Sequence, residues 1–236
     1  MEKQNLRVQI WDELEASGVA RFPFPPHGRI PNFAGADEAA ERLTGLDAWQ
    51  TAGKIKANPD SPQLPVRRAA LGEGKTLYVA VPRLREADCF YRLDPARIED
   101  VDDATTIGGL AEAGEQVGPD DMDPVDLVVS GSVAIDDERG GRVGKGEGYS
   151  DLEFAMLREF GLVDDETTTV TTVHERQVAD EDIPTGSHDV PMDWIVTPER
   201  TIETGCGAAK PRGIEWNAID EERREEVPIL DRLRPD

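Results

Sequence analysis

Short apolar runs alternate with amphipathic stretches along this chain. Short runs rich in apolar or β-branched residues, bounded by turn residues, predict buried strands at residues 55–57, 75–82, 127–129, 169–173 and 194–196. Apolar residues spaced three or four positions apart predict helices at residues 3–16, 36–46, 65–71 and 152–160. A more polar helix is expected at residues 221–226, and the sequence Phe-Pro-Phe-Pro-Pro at residues 22–26 predicts a stiff connector.

Alternation of short strands and helices is typical of an α/β fold. Strands buried on both faces have continuous apolar sequences, so we predict a mostly parallel sheet with helices on both faces. Residues 94–126 are acidic and rich in glycine, which predicts a surface excursion with one short helix. We assign residues 1–205 to the α/β domain and residues 206–236 to a polar C-terminal tail.

Acidic residues greatly outnumber basic residues. The chain has 49 Asp and Glu against 26 Lys and Arg, a formal charge of −23 at pH 7. This charge repels phosphate backbones and argues against a nucleic-acid partner. Salt at 1 M shortens the range of the repulsion between carboxylates to about 3 Å, so a chain with this charge is stable in concentrated salt. The charge therefore also predicts a halophilic protein. No membrane-length apolar run or secretory segment is visible, so we expect a soluble, cytoplasmic protein without a membrane partner.

The cysteines and histidines do not follow a metal-binding pattern. Cys89 and Cys206 have neither a neighbouring histidine nor a C-x-x-C spacing, so we expect a buried thiol at each. His27, His174 and His188 are far apart in sequence. Their spacing predicts no zinc site.

A glycine-rich stretch carries the strongest sign of chemistry. Gly144, Gly146 and Gly148 alternate between Arg142 and Asp151, directly before a predicted helix. The N–H groups of such a loop, together with the positive end of the next helix, can surround a phosphate. The spacing matches neither the G-x-G-x-x-G of dinucleotide folds nor the G-x-x-x-x-G-K-[ST] of P-loops. A tight turn without a ligand is the alternative.

Two further features place charge where a ligand could use it. Lys3 and Arg7 lie one turn apart on the first helix, where like charges repel unless an anion lies between them. Asp193 precedes the last predicted strand. Ordinary explanations exist for both, namely a solvated helix face and a turn acid. The residues alone leave both interpretations open.

Together these motifs resemble the 5-formyltetrahydrofolate cyclo-ligase family, also called methenyltetrahydrofolate synthetase. The resemblance extends from Lys3 to about Thr204. The family loop R-[LIV]-G-x-G-x-G-Y-Y-D matches residues 142–151 except at Ser150. Further matches are K-x-x-x-R at residues 3–7, P-R-L at residues 82–84 and V-P-x-D-x-I-[IV]-T at residues 190–197. The loop sequence G-E-G-Y-S-D resembles the loop of a divergent branch of the family, the methenyltetrahydrofolate synthetase domain-containing proteins.

The resemblance implies a sheet of the class shared by the NagB/RpiA/CoA-transferase proteins. It also implies ATP- and Mg²⁺-dependent cyclisation of the reduced folate 5-formyltetrahydrofolate to 5,10-methenyltetrahydrofolate, with ADP and phosphate. Arg142 and Lys145 would be catalytic, and Asp151 and Asp193 would bind Mg²⁺. The nucleotide-binding residues would be Lys3, Arg7, Arg142, Gly144, Lys145, Gly146, Gly148, Tyr149, Ser150 and Asp151. An oligomeric state is not predicted.

The chain departs from the family pattern around the loop. Ser150 replaces a second tyrosine, Leu152 a common arginine, and Glu147 a lysine or glycine. The glutamate with which family members hold the pterin has no counterpart between Asn58 and Gln63. Two alternatives therefore stay open: a non-folate member of the same fold, for example in thiamine-related metabolism, or a nucleotide- or phosphate-binding module without catalysis.

Overall fold

Helices and strands alternate along the chain. A computed structural model describes residues 2–179, 182–205 and 209–234. The helices of these residues are α1 (Lys3–Ala16), α2 (Ala36–Thr44), α3 (Asp47–Thr51), α4 (Leu64–Gly72), α5 (Val101–Ala104), α6 (Ile107–Ala113), α7 (Tyr149–Glu159), α8 (Glu221–Glu226) and α9 (Ile229–Leu233). The strands are β1 (Ala20–Arg21), β2 (Asn32–Phe33), β3 (Lys54–Ala57), β4 (Thr76–Ala80), β5 (Phe90–Leu93), β6 (Glu115–Val117), β7 (Leu127–Val129), β8 (Ala134–Asp136), β9 (Arg142–Val143), β10 (Thr168–Thr172), β11 (Val178–Ala179), β12 (Trp194–Val196) and β13 (Thr201–Glu203).

A central sheet organises the described part of the chain. Its eight strands have the order β13-β12-β10-β7-β3-β4-β5-β6. The five inner strands, from β12 to β4, are parallel. At the edges, β13 pairs antiparallel with β12, and β5 and β6 continue antiparallel from β4. The predicted α/β fold with a mostly parallel sheet is confirmed.

Alternate strand residues point to two hydrophobic cores, one on each face of the sheet. Leu127 and Val129 of β7 pack with residues of α2 and α4. Val128, between them, packs in the core that contains the buried face of α7. The same alternation places Lys56 of β3 on the α7 face, because its neighbours Ile55 and Ala57 belong to the other core. Helices therefore cover both faces, as predicted.

The sheet grows in opposite directions from β3 and β7. Along the chain β3 is followed by its neighbour β4 on one side, whereas β7 is followed by β10 and β12 on the other. Ligands of open α/β sheets bind beyond the carboxyl ends of the strands at such a switch point. The fold thus directs attention to Asn58, which follows β3, and to Ser130, which follows β7.

The segment between β7 and the glycine loop contains more structure than the sequence pattern predicted. A second sheet forms there, with β8 antiparallel to β9 and parallel to β11. Val143 of β9 is buried with Ile10 and Leu14 of α1, so this sheet attaches the first helix to the base of the loop. The sequence analysis did not predict β8, β9 or β11, which are two or three residues long.

The prediction of a surface excursion with one helix at residues 94–126 is wrong. This segment contains α5 and α6, and its β6 pairs with the equally unpredicted β5 at the edge of the central sheet. Leu110 and Val117 are buried. The acidic residues of this segment are mostly exposed. Because they dominate its composition, the few apolar residues that pack into the core were not recognised from the sequence.

The C-terminal residues pack onto the core on the α7 side of the sheet. Val227, Ile229 and Leu230 are at most 1% exposed and belong to the same core as Phe154 of α7. The polar helix expected at residues 221–226 is confirmed as α8. The boundary at residue 205 stays a prediction.

The thiol of Cys89 is buried in this core, as expected. Burial raises its pKa to about 12, so it is protonated at neutral pH. Cys206 lies outside the described residues. No helix among the residues described is long and apolar enough to cross a membrane.

Candidate functional site

The glycine loop, residues 144–148, leads from β9 into α7. Gly146 and Gly148 have φ angles of 110° and 72°, in the left-handed region that favours glycine. Gly148 precedes the first turn of α7 and provides no side-chain cap. The first N–H groups of a helix have no intrahelical acceptor and carry its partial positive charge. The end of this loop is therefore suited to an anion.

A cavity of about 360 Å³ opens beside the loop. Its walls include Asp60 after β3, Arg83 after β4 and Gly131 after β7, together with residues 144, 145 and 147–151. The cavity thus lies at the carboxyl ends of the parallel strands, where the reversal of sheet growth placed a ligand site.

Of the two cations of α1, Arg7 contacts the glycine loop. Arg7 Nε donates a hydrogen bond to the carbonyl oxygen of Gly144 at 2.7 Å, and its guanidinium lies against Gly146. Lys3 Nζ pairs with Asp189 Oδ2 at 2.6 Å. Burial lowers the pKa of Arg7, and the nearby Asp189 carboxylate opposes that shift. The structure therefore brings Arg7 to a loop that is 137 residues away in sequence, whereas Lys3 contacts Asp189, and neither cation is among the residues that line the cavity. Anion binding by this pair stays a prediction.

Arg142 and Asp151 form a buried ion pair that joins the two ends of the loop. Arg142 Nη2 lies 2.7 Å from Asp151 Oδ1, and Nη1 donates to the carbonyl oxygen of Gly131 at 2.9 Å. The N–H of Val190 also donates to Asp151 Oδ1, at 3.1 Å. Arg142 Nε is buried without a hydrogen-bond partner among the described residues. The contacts of Arg142 are therefore with the protein itself, and they fix the glycine loop and the start of α7.

Glu147, the carboxylate that departs from the family pattern, is paired within the loop. Lys145 Nζ lies 2.7 Å from Glu147 Oε2, and both side chains are partly exposed. A carboxylate beside a phosphate is costly unless a cation offsets it. Lys145 supplies that cation here.

Residues 149 and 150 at the start of α7 contact two different parts of the site. Ser150 Oγ lies 3.2 Å from Ser130 Oγ and 3.5 Å from Asn58 Oδ1, at the ends of β7 and β3. The hydroxyl of Tyr149 donates to Glu226 Oε2 at 2.5 Å. Burial, followed by this hydrogen bond, raises the pKa of Tyr149 to about 12.

Two buried charges under the cavity were missed by the sequence analysis. Lys56 of β3 and Glu153 of α7 are 1% and 5% exposed and form a salt bridge across the sheet–helix interface. Lys56 Nζ also donates to Asn58 Oδ1 at 3.0 Å. Glu153 lines the cavity. The available signal was a lysine inside an apolar strand and a glutamate on the apolar face of a helix, since buried charges need partners.

A further carboxyl group, that of Asp60, lines the cavity. Burial raises its pKa, and the positive charge of Lys145 opposes this shift. The buried Arg67 fixes the turn that carries it, because Nη1 donates to the carbonyl oxygens of Asn58 and Asp60 at 2.7 and 3.0 Å. The cavity therefore has carboxyl groups in the region where the sequence offered no glutamate.

The two predicted Mg²⁺ ligands occupy different environments. Asp151 lines the cavity, and among the described residues both of its contacts use Oδ1. Asp193 Oδ2 accepts the N–H of Thr169 and the ammonium group of Lys210, each at 2.8 Å, and Asp193 is outside the cavity lining. The role of Asp193 in metal binding stays a prediction.

The site fits a metal ion that is shared with phosphate. Within the described ranges, no group of three or more His, Cys, Asp and Glu could hold a metal by itself. Mg²⁺ is commonly held by one or two carboxylates and by substrate phosphates. Asp151 lines the cavity and is a carboxylate of this kind, and its role as an Mg²⁺ ligand stays a prediction.

These features define an α/β protein whose glycine loop and the helix N-terminus that follows it border a cavity at a topological switch point. The model of the 5-formyltetrahydrofolate cyclo-ligase family matches residues 1–198. The chain belongs to this family, which confirms the resemblance inferred from its motifs.

Similar proteins agree with this assignment. Methenyltetrahydrofolate synthase domain-containing proteins from Bos taurus and Homo sapiens are 45% and 43% identical over 240 residues, which cover 99% of this chain. The chain spans 62% of the length of each of these relatives. The solution structure of Aquifex aeolicus 5,10-methenyltetrahydrofolate synthetase has a TM-score of 0.56 at 22% identity, covering 92% of this chain and 98% of that chain. The similarity to the Aquifex aeolicus structure shows a shared fold.

Proposed function

We propose that this chain catalyses the ATP- and Mg²⁺-dependent cyclisation of 5-formyltetrahydrofolate to 5,10-methenyltetrahydrofolate, with release of ADP and phosphate. One observation carries the proposal: a glycine loop that leads into a helix N-terminus borders the same cavity as the carboxyl groups of Asp60 and Glu153. The loop suits a nucleotide, and the carboxyl groups suit a nitrogen-rich heterocycle. Family membership supports this class of reaction.

The nucleotide phosphates would lie at the glycine loop. Arg7 and Lys145 would supply positive charge there, and the N–H groups of residues 144–148 and the start of α7 would supply donors. Phosphoryl transfer needs positioning and charge neutralisation more than a protein nucleophile. A bound Mg²⁺ would neutralise phosphate charge, with Asp151 as its protein carboxylate.

The second substrate would lie against Asp60 and Glu153. A pterin ring presents an amino group and ring N–H groups along one edge, and a carboxylate accepts hydrogen bonds from such an edge. The salt bridge to Lys56 keeps Glu153 in place, and Ser150 leaves more room than the tyrosine of the family pattern. These residues would replace the family glutamate that the chain lacks.

The reaction would proceed in two displacements. The formyl oxygen attacks the γ-phosphorus of ATP, a new P–O bond forms, the bond to the bridging oxygen breaks, and ADP leaves. The neighbouring folate nitrogen then attacks the formyl carbon and loses its proton, the C–O bond to phosphate breaks, and phosphate leaves. The protein holds the reacting atoms in line and excludes water, so it needs no covalent intermediate of its own.

The test combines ligand-induced thermal shifts with formation of the methenyl product in molar KCl. A ligand specific for the native state adds about 2.7 kcal/mol at one hundred times its Kd, which raises the Tm of a domain of this size by roughly 5–11 °C. We expect such a shift with Mg·ATP, and a folate shift that grows when nucleotide is present. Arg7→Gln should reduce the ATP shift, whereas Arg97→Gln, at an exposed position, should leave it unchanged.

The outcomes separate the alternatives. Product formation that requires both ATP and Mg²⁺ supports the proposal. An ATP shift without a folate shift or product favours a non-folate member of the fold. Binding of both ligands without turnover indicates a module that binds and does not catalyse, and a strong folate shift without any ATP shift contradicts the assignment of the glycine loop.

A further inference from the structure

The helix α8 lies against the glycine loop although it is outside the residues that the family model matches, 1–198. Arg223 Nη2 donates to the carbonyl oxygen of Glu147 at 2.6 Å. The guanidinium of Arg223 also stacks on the ring of Tyr149, 4.1 Å from its centroid. One side chain of α8 thus holds both the backbone of the loop and the first residue of α7.

Glu226, at the end of α8, connects two walls of the cavity. One oxygen, Oε2, accepts the hydroxyl of Tyr149, and the other, Oε1, lies 3.3 Å from Arg83 Nη1 and 3.5 Å from Arg85 Nη2. The hydrogen bond from Tyr149 lowers the pKa of Glu226, and the cation of Arg83 adds to this effect. Because the pKa of Tyr149 is raised to about 12, the pair is a neutral donor and an ionised acceptor at neutral pH.

The backbone of Arg83 is strained at this contact. Its φ and ψ angles are 59° and 16°, a left-handed conformation that side-chain-bearing residues rarely adopt. Such a conformation persists only where surrounding contacts determine it, and it is concentrated at functional sites. The buried Leu84 and the contact with Glu226 supply such constraints.

Packing fixes α8 in this position. Val227 directly follows it, and Val227 and Leu230 are fully buried in the core that contains α7. Asp220 caps its start by accepting the N–H of Arg223 at 2.8 Å. The helix is therefore a rigid support against which the loop is held.

We propose that Arg223 and Glu226 are positioning residues that keep the glycine loop in its ligand-binding shape and set the distance between Tyr149 and Arg83. A loop with glycines at 146 and 148 has much conformational freedom. If the loop were ordered only on binding, the ordering entropy would weaken the affinity. The kinetic part of this inference depends on the proposed function, whereas the ordering of the loop does not.

The first test is amide hydrogen exchange of the full chain without ligands. We expect faster exchange over residues 142–151 in Arg223→Gln and Glu226→Gln, with unchanged exchange over residues 229–233. Glu225→Gln on the exposed side of the same helix and Arg234→Gln remove the same charges and should leave the loop unchanged. Unchanged loop exchange in both test variants, or a rise that occurs only together with one in α9, overturns the proposal.

The second test separates KM from kcat. Loss of a hydrogen bond from a charged group that orders a binding loop should raise the KM for Mg·ATP about tenfold, with a smaller change in kcat. Arg223→Lys keeps the charge and a donor for Glu147, and we expect it to recover part of the loss. A KM equal to that of the two controls overturns the positioning role. If the wild type neither binds nor uses ATP, the proposed function fails, and hydrogen exchange still decides the role of α8.

Discussion

The salt bridge between Lys56 and Glu153 gives the most direct test of how this site is built. Both side chains are almost completely buried between β3 and α7, and Glu153 lines the cavity. Removing two charges from water costs several kcal/mol for each ion, and the pair offsets this cost only while both partners are present. The two residues should therefore be far more sensitive to single than to paired replacement.

The expected magnitudes follow from this burial. Glu153→Gln leaves a buried ammonium group whose remaining side-chain hydrogen bond is to Asn58 Oδ1, at 3.0 Å. Breaking a buried pair in this way costs about 3–5 kcal/mol, equivalent to a fall in Tm of roughly 6–20 °C for a domain of this size. The double variant Lys56→Met with Glu153→Met removes both charges at similar volume, and such replacements are often neutral or stabilising by about 1–4 kcal/mol.

The assay is urea denaturation at one fixed KCl concentration, because urea is uncharged and leaves ionic strength constant. Glu222→Gln on the exposed surface of α8 serves as the control for loss of one negative charge. We expect the free energy of unfolding to fall strongly for Glu153→Gln and to recover in the double variant. A cost below about 1 kcal/mol for Glu153→Gln, or a double variant that is as unstable as Glu153→Gln, refutes the reasoning. The recovered double variant should also give a smaller folate shift than the wild type.

Four shorter predictions follow. Since the net charge is −23, the Tm should rise between low salt and molar KCl, and a flat or falling curve contradicts salt adaptation. Burial raises the pKa of Asp60 above its value in the unfolded chain, so the favourable contribution of its protonated form is present below the unfolded pKa and is lost as pH rises through the folded pKa. Asp60→Asn should therefore raise the Tm at pH 7 but not near pH 4, whereas the exposed Asp123→Asn should change the Tm at neither pH. Asp151→Asn should lower the Tm, because it breaks the ion pair with Arg142, and should also abolish the Mg²⁺ dependence of the ATP shift; an unchanged Mg²⁺ dependence removes Asp151 from the metal site. With Cys206→Ser as background, the thiol of Cys89, whose pKa burial raises to about 12, should react with a thiol reagent only after unfolding in urea, so reaction of the native protein contradicts its burial.

The sequence by itself determined the fold class, the family and the location of the glycine loop. The sequence predicted β3, β4, β7, β10 and β12, and the largely apolar sequences of β4, β7 and β12 reflect their burial on both faces of the sheet. The glycine loop was recognisable because positive φ angles, such as those of Gly146 and Gly148, select for glycine locally. Local requirements of this kind are written in neighbouring residues.

Only the tertiary structure decided which residues meet at the cavity. Lys56 and Glu153 are 97 positions apart and form a pair because β3 and α7 face each other across one core. Arg223 and Glu226 are part of a polar helix whose sequence gives no sign of a partner, and the packing of Val227 and Leu230 brings them to Tyr149. The sequence likewise gives no sign that Asp193, which is outside the cavity lining, pairs with Lys210. Contacts between distant elements depend on how the cores pack, and a single sequence does not encode that packing in any local pattern.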